Sequence, residues 1–349
     1  MIKVLIVDDS PVVQEFLKHI LSSSPEIDVV DLANNGEEAL EFVRKKKPDV
    51  ITMDIHMPKM DGFETTRRIM ETQPVPIVVV SGSSTVKEMS TAFKAMEAGA
   101  VAIVSRPKGI GHAAHEITAK ELIQTVKLMS EVKVVKRSPL LRKPAVPLAT
   151  EADVVGMGRK IQVVAIGAST GGPIVLQTIL SGLAKKFPAP ILIAQHISSG
   201  FIAGFVQWLS ESSGFPVHLA ADGGLLLSGH AYVAPEGYHL MVKHDNRIAL
   251  KKNENINRLS PLVSCLFESV AKVFGQGAIG ILLTGMGRDG AEGLKLMKEK
   301  GAITIAQDKK TSVVFGMPKE AIELDAATHV LSPDQIVQFL LHMASIKYV

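Results

Sequence analysis

From the N-terminus to about residue 130, short apolar runs alternate with stretches whose apolar residues recur every three or four positions. The runs Val4 to Val7, Val29 to Leu32, Val50 to Met53, Ile77 to Ser81 and Ala102 to Ser105 read as strands. Val12 to Leu21, Gly36 to Lys46, Gly62 to Glu71, Val86 to Ala98 and Thr118 to Met129 read as amphipathic helices. Five short strands alternating with five helices predict an α/β domain with a doubly wound, five-stranded parallel sheet. A second alternation begins at Ile161, with strand candidates Ile161 to Ile166, Pro190 to Gln195, Ile279 to Leu283 and Ala302 to Ala306. It predicts another doubly wound α/β domain with a mostly parallel sheet. Val217 to Leu250, rich in Gly and short apolar stretches, reads as hairpins. Ser332-Pro333-Asp334-Gln335 predicts a capping box for a last helix bearing Ile336, Val337, Phe339, Leu340 and Met343.

Between the two alternations the periodicity fades. From Glu131 to Lys160, Lys133, Lys136, Arg137, Arg142 and Lys143 crowd together with Pro139, Pro144 and Pro147. This reads as a basic, Pro-interrupted tether, with attraction to an acidic surface as the functional alternative. The expected division is a domain over 1–128, a linker over 129–158 and a second domain over 159–349. A length of 349 residues accommodates two domains. A net charge of +3 does not by itself argue for nucleic acid. Cys265, the single cysteine, excludes an internal disulfide, fits a reducing compartment and reads as a small buried hydrophobe. Met1 to Asp9 turns acidic too early for a secretory leader, and no apolar run reaches membrane-spanning length. The expected location is the cytoplasm, without membrane insertion.

Open α/β sheets collect functional groups outside the carboxyl ends of their strands. In the first domain Asp8 and Asp9 end the first strand, Asp54 the third and Ser81 the fourth. Asp9-Ser10 before Pro11 reads equally well as a helix cap. Taken together with Met57-Pro58-Lys59-Met60-Asp61-Gly62, the acids read as a site, because converging carboxylates repel unless a hard cation such as Mg²⁺ neutralises them. These residues resemble a two-component response-regulator receiver domain, which has a flavodoxin-like fold. The resemblance implies Asp8 and Asp9 as acidic Mg²⁺ ligands, Asp54 as phosphoacceptor and further ligand, and the backbone carbonyl of His56 as another. It also implies Ser81 as the hydroxyl near the phosphoryl group. Where the family carries Lys-Pro after the fifth strand, this chain has Arg106-Pro107, with Lys108 as an alternative cation. Arginine and lysine are not interchangeable at such a contact. Ile103 stands where many receivers carry an aromatic residue.

In the second domain Gly167-Ala168-Ser169-Thr170-Gly171-Gly172-Pro173 follows a strand and opens a helix. It fits the G-x-S-x-G pattern, in which a serine on a tight turn faces the N–H donors of a helix N-terminus. A phosphate-binding Gly-rich turn, or a plain turn, is the other reading. The next strand runs into His196, and Ile279 to Leu283 runs into Thr284-Gly285-Met286-Gly287-Arg288-Asp289-Gly290. Ser169, His196 and Asp289 supply nucleophile, base and orienting carboxylate. Asp289 also reads as the cap of a helix over Gly290 to Lys300. His218, His230, His239, His244, His329 and His342 lack the strand-end position.

These motifs, with Ala194-Gln195-His196, Val233-Ala234-Pro235, Ala291 and Phe315-Gly316-Met317-Pro318, resemble the catalytic domain of the bacterial chemotaxis protein-glutamate methylesterase (CheB) family. With the receiver and linker, the resemblance spans essentially the whole chain. It places the triad on Ser169, His196 and Asp289, with Thr170 and Met286 beside it. Backbone N–H groups near those two residues would hold the oxyanion. The implied activity is serine-dependent hydrolysis of glutamate methyl esters on chemoreceptor cytoplasmic domains, releasing methanol, together with deamidation of receptor glutamines. Hydrolysis is expected to need no cofactor. A histidine kinase of the chemotaxis system is the implied phosphodonor, with the unphosphorylated receiver acting as a lid. A DNA-binding output is disfavoured, since about 190 residues of α/β pattern follow with no compact basic helix-turn-helix. A non-catalytic signalling adaptor of the same fold is the remaining alternative.

Overall fold

The structure, a computed structural model, describes residues 1–82, 85–134, 161–183, 187–254 and 261–345. The chain divides into two compact units. The first carries β1 (Ile2–Val7), α1 (Pro11–Ser22), β2 (Ile27–Ala33), α2 (Gly36–Lys45), β3 (Val50–Met53), α3 (Gly62–Thr72), β4 (Ile77–Ser81), α4 (Val86–Ala98), β5 (Ala102–Ser105) and α5 (His115–Ser130). The strands pair in parallel in the order β2-β1-β3-β4-β5. Val4, Leu5, Ile6 and Val7 in β1 and Ile77, Val78, Val79 and Val80 in β4 are buried, as unbroken apolar strands require. Local signals fix the helix starts. Asn35 accepts the Glu37 and Glu38 N–H groups, Asp61 accepts that of Glu64, and Thr85 with Glu88 forms a capping box. Ser10 enters α1 without a side-chain cap bond, so capping does not account for Asp8-Asp9-Ser10.

The second unit carries β6 (Val163–Ala168), α6 (Gly172–Gly182), β7 (Ile191–Gln195), α7 (Ile202–Ser213) from Phe205 onward, β8 (Val217–Leu219), β9 (Ala231–Val233), β10 (Tyr238–Val242), β11 (Ile248–Lys252), α8 (Val263–Phe274), β12 (Ala278–Leu282), α9 (Ala291–Glu299), β13 (Ile303–Gln307), α10 (Met317–Glu323), β14 (His329–Leu331) and α11 (Pro333–Ser345). Seven strands form one parallel sheet in the order β14-β13-β12-β6-β7-β9-β8. The chain leaves β6 toward β7 and later returns to lay β12 on the other flank of β6. The order therefore reverses around β6, which is where open α/β sheets form a crevice at their carboxyl edge. The hairpin expectation for Val217 to Leu250 holds only for β10 and β11, an antiparallel pair. β8 and β9 instead join the main sheet in parallel, with His218 opposite Tyr232. Strands of three residues are too short to display a period, and the Gly-rich connection between them imitates turns.

α7 and α8 lie where the sequence pattern singled out no element. α8 is held by Val263, Leu266, Phe267 and Val270, which are fully buried in a core shared with Leu282, Leu294 and Met297. The last helix has its capping box: Ser332 N–H donates to Gln335 Oε1 (2.9 Å) and Gln335 N–H to Ser332 Oγ (3.4 Å). Residues 135–158 of the expected linker lie outside the described residues. No helix among the described residues is long and apolar enough to cross a membrane.

Candidate active site and the acid cluster of the first unit

β6 delivers Ser169 to the carboxyl edge. Its N–H donates to the Thr284 carbonyl (3.0 Å), and the Gly172 N–H donates back to the Ser169 carbonyl (2.8 Å), closing a tight turn into α6. β7 delivers His196, whose N–H donates to the Ala168 carbonyl (2.9 Å). β12 delivers the loop 283–290. That loop passes so close to the turn that a Cβ on Gly285 would stand 2.6 Å from Ser169 Cβ. The sequence reading of three strand ends converging therefore describes the geometry found here.

His196 Nε2 lies 3.0 Å from Asp289 Oδ2. The same oxygen accepts the Val263 N–H (2.7 Å), while Oδ1 accepts the Ser264 N–H (3.1 Å) and hydroxyl (2.8 Å). Asp289 thus sits at the N-terminus of α8, which Leu262 cannot cap. It makes no cap bond to α9, whose N-cap is Gly290, so the helix it serves is not the one expected from sequence. Burial opposes its charge. The hydrogen bond and charge of His196, with the Val263 and Ser264 donors, outweigh burial and hold the carboxyl below its usual range. A carboxylate on Nε2 requires the proton there, which leaves Nδ1 as the basic nitrogen. His196 Nδ1 is buried and has no partner among the described residues. Among the described residues nothing hydrogen-bonds the Ser169 hydroxyl, so His196 and Asp289 are joined while the Ser169–His196 bond is not formed. The Thr170 and Met286 N–H groups likewise make no hydrogen bond among the described residues, and the Met286 side chain is exposed.

Other candidates are engaged elsewhere. His218 and His230 bond each other (2.9 Å), and His239 Nδ1 accepts the Leu262 N–H (3.1 Å). Cys265 is half-buried, and burial with the charges of Glu268 and Asp289 pushes its thiol pKa up, away from nucleophilic use. Sequence reasoning passed over several supporting residues. Gln195 Nε2 donates to the Ser169 carbonyl (2.8 Å) and the His196 carbonyl (2.7 Å). Thr284 Oγ1 donates to the Thr170 carbonyl (2.9 Å), and Gln307 Oε1 accepts the Thr284 N–H (2.8 Å). The available signal was a polar side chain at or just beyond the end of an otherwise apolar strand. Ser264 offered no such signal.

In the first unit Asp8, Asp9 and Asp54 each present a carboxylate oxygen, all within 4.8 Å of one another. Burial, opposed by the Ser10 N–H bond and aided by Asp54, raises Asp8 to about 6. Burial likewise raises Asp54, against the nearby Arg106 charge. Asp8 Oδ2 is buried without a hydrogen-bond partner among the described residues. Three hard oxygens with an orphaned carboxylate atom fit Mg²⁺. Arg106 Nη2 stands 3.6 Å from both Asp8 Oδ2 and Asp54 Oδ1, an electrostatic rather than hydrogen-bonding distance. Its Nε is buried and has no partner among the described residues. Arg106, not Lys108, thus reaches the cluster. Ser81 is buried at the end of β4, and its carbonyl accepts the Arg106 N–H (2.8 Å). The His56 side chain is exposed in the loop after Asp54.

Residues 4–117 match the family model for the response regulator receiver domain, and residues 164–340 match that for CheB methylesterase. A protein-glutamate methylesterase/protein-glutamine glutaminase of Nitrosospira multiformis is 53% identical over 347 residues, 99% of this chain and 98% of its own length. The chain belongs to the CheB methylesterase family. A second family member of that name, from Geobacter metallireducens, is 52% identical over 348 residues, 99% of this chain and its own full length. The crystal structure of the Thermotoga maritima CheB methylesterase catalytic domain is 38% identical, with a TM-score of 0.51 over 53% of this chain and 99% of that one. These relatives bear an enzyme's name, which disfavours the adaptor reading.

Proposed function

We propose that this CheB family member is a phosphorylation-regulated serine hydrolase of chemotaxis adaptation, acting in the cytoplasm on chemoreceptor glutamate methyl esters and glutamines. The observation that carries the reading is the His196–Asp289 pair beside Ser169 at the sheet's reversal point. Ser169 Oγ attacks the ester carbonyl as His196 Nδ1 takes its proton. The Thr170 and Met286 N–H groups hold the oxyanion, and Asp289 stabilises the imidazolium. Collapse of the tetrahedral adduct expels methanol, which takes the proton from His196. Water then attacks the glutamyl ester of Ser169 with His196 again as base, returning the serine and leaving glutamate. With a glutamine substrate the same steps release ammonia.

Residues 1–128 act as the receiver, 129–158 as the linker and 159–349 as the catalytic domain. Asp8, Asp9, Asp54 and the His56 backbone carbonyl would hold Mg²⁺, which neutralises carboxylate charge when Asp54 receives a phosphoryl group from the chemotaxis histidine kinase. Ser81 and the spare Nε–H of Arg106 contact that group. The unphosphorylated receiver restrains the hydrolase, and phosphorylation shifts the population toward the active form. The test is mass spectrometry of a methylated receptor cytoplasmic fragment after incubation with wild type or Ser169→Ala. Loss of methyl esters and conversion of glutamine to glutamate, both requiring Ser169, are expected. Modification that proceeds equally with the alanine variant would sink the reading.

A further inference from the structure

We propose that Gln195 is a positioning residue that presets the Thr170 N–H as an oxyanion donor, an inference that rests on the serine-hydrolase reading above. Gln195 ends β7 and is 1% exposed. Its amide nitrogen donates to the carbonyls of both Ser169 and His196, at 2.8 and 2.7 Å. The two carbonyl oxygens therefore lie within 5.5 Å of one another, on the strands that carry nucleophile and base. One side-chain nitrogen thus fixes the spacing of the two backbones.

The clamp also acts on a peptide plane. In a trans peptide the C=O of one residue and the N–H of the next point in opposite directions. The Ser169 carbonyl is held by two donors, Gln195 Nε2 and the Gly172 N–H (2.8 Å). The Thr170 N–H is thereby turned away from Gln195, and it has no partner among the described residues. A donor held in place and without a partner among the described residues needs no reorganisation when the oxyanion forms. Thr284 treats the next plane in the same way, donating to the Thr170 carbonyl.

Two features separate this from ordinary satisfaction of buried groups. Gln195 Oε1 is buried with no partner among the described residues, and a leucine of similar size would leave no orphaned acceptor there. What leucine would lack is the pair of N–H donors. The amide also occupies space that any residue but glycine at 172 would fill, because a Cβ there would collide with Oε1.

The experiment measures labelling of Ser169 by a fluorophosphonate probe, whose phosphoryl oxygen occupies the oxyanion position, together with kcat and KM on methylated receptor fragment. Gln195→Leu should lower the labelling rate and kcat about 100-fold, the effect of losing one oxyanion donor. KM should stay within about twofold, and the pH midpoint of labelling, set by the base, should not move. Gly172→Ala, which pushes on the same amide from the other side, should reproduce the loss. Should Gln195→Leu fail to fold, Gln195→Met carries the same test. Labelling at the wild-type rate overturns the proposal, as does a loss accompanied by a shifted pH midpoint, which assigns Gln195 to the base. The Ser169→Ala control keeps the two readings apart. A wild type labelled no faster than Ser169→Ala overturns the serine-hydrolase reading and this inference with it, whereas Ser169-dependent labelling that ignores Gln195 overturns this inference alone.

Discussion

Replacing Asp289 by asparagine removes one charge from a carboxylate that serves both the histidine and a helix. The four donors around it divide between the two oxygens, His196 and Val263 on one, the Ser264 N–H and hydroxyl on the other. Asparagine keeps a single oxygen, so its NH₂ must face one of these pairs, and either pair includes a backbone N–H of α8. Hydrogen bonds to charged groups contribute about 1.5–3 kcal/mol each, and a charge at a helix N-terminus about 0.3–1. Losing the charge and one acceptor therefore costs on the order of 3 kcal/mol. For a domain of this size that lowers the melting temperature by about 6–12 °C.

The helix itself should stay in place. Val263, Leu266, Phe267 and Val270 are fully buried, and each such side chain contributes about 1.5–3 kcal/mol. Catalysis should suffer more than folding. Without the carboxylate the imidazolium loses its counter-charge, and if the NH₂ faces His196 the proton moves to Nδ1, where it blocks the base. Losses of about 10²-fold to 10⁴-fold in kcat span these two outcomes. The assay is methanol release from methylated receptor fragment, with calorimetry alongside. Because the folded carboxyl lies below its usual value, its stabilisation is fully present above the unfolded pKa near ~4 and disappears as pH falls through the folded pKa. The gap in melting temperature between wild type and variant should therefore narrow as pH falls below about 4. A variant with kcat within tenfold of wild type and an unchanged melting temperature would show that the Asp289 charge supports neither the histidine nor the start of α8.

Three further expectations concern both units. Asp8, raised to about 6, is mostly ionised at pH 7 and mostly protonated at pH 5, so protons compete with the cation. The apparent Mg²⁺ dissociation constant should rise about tenfold between those pH values in calorimetric titrations, and a flat profile would remove Asp8 from the ligand set. Gly285→Ala would place a methyl carbon 2.6 Å from Ser169 Cβ and separate the turn from the Asp289 loop. kcat should fall at least about 100-fold, as small displacements of reacting groups do, and near-wild-type turnover would show that the two loops move independently. Removal of residues 1–130 should raise basal methanol release, and unchanged or lower release would contradict restraint by the receiver.

The receiver half of the fold was almost fully legible, because its strands are short, mainly apolar runs between amphipathic stretches, and α2, α3 and α4 carry side-chain caps at Asn35, Asp61 and Thr85. In the second half β8 and β9 escaped recognition, being three residues long and joined by a Gly-rich stretch. Their parallel pairing is a long-range event with no local signature. The site divides similarly. Ser169, His196 and Asp289 announce themselves as chemically capable residues at strand ends. Whether Asp289 caps α9 or α8 depends on tertiary approach, and the sequence neighbour was the wrong choice. Gln195 and Thr284 act through backbone carbonyls, contacts that no motif encodes.

The most direct measurement of the central claim is rapid quenching of the enzyme during turnover of methylated receptor fragment, with methanol and protein adducts quantified together. A burst of methanol matched by a glutamyl adduct on the peptide containing Ser169 is expected, and neither in Ser169→Ala. Steady methanol release with no adduct, persisting in Ser169→Ala, would contradict it.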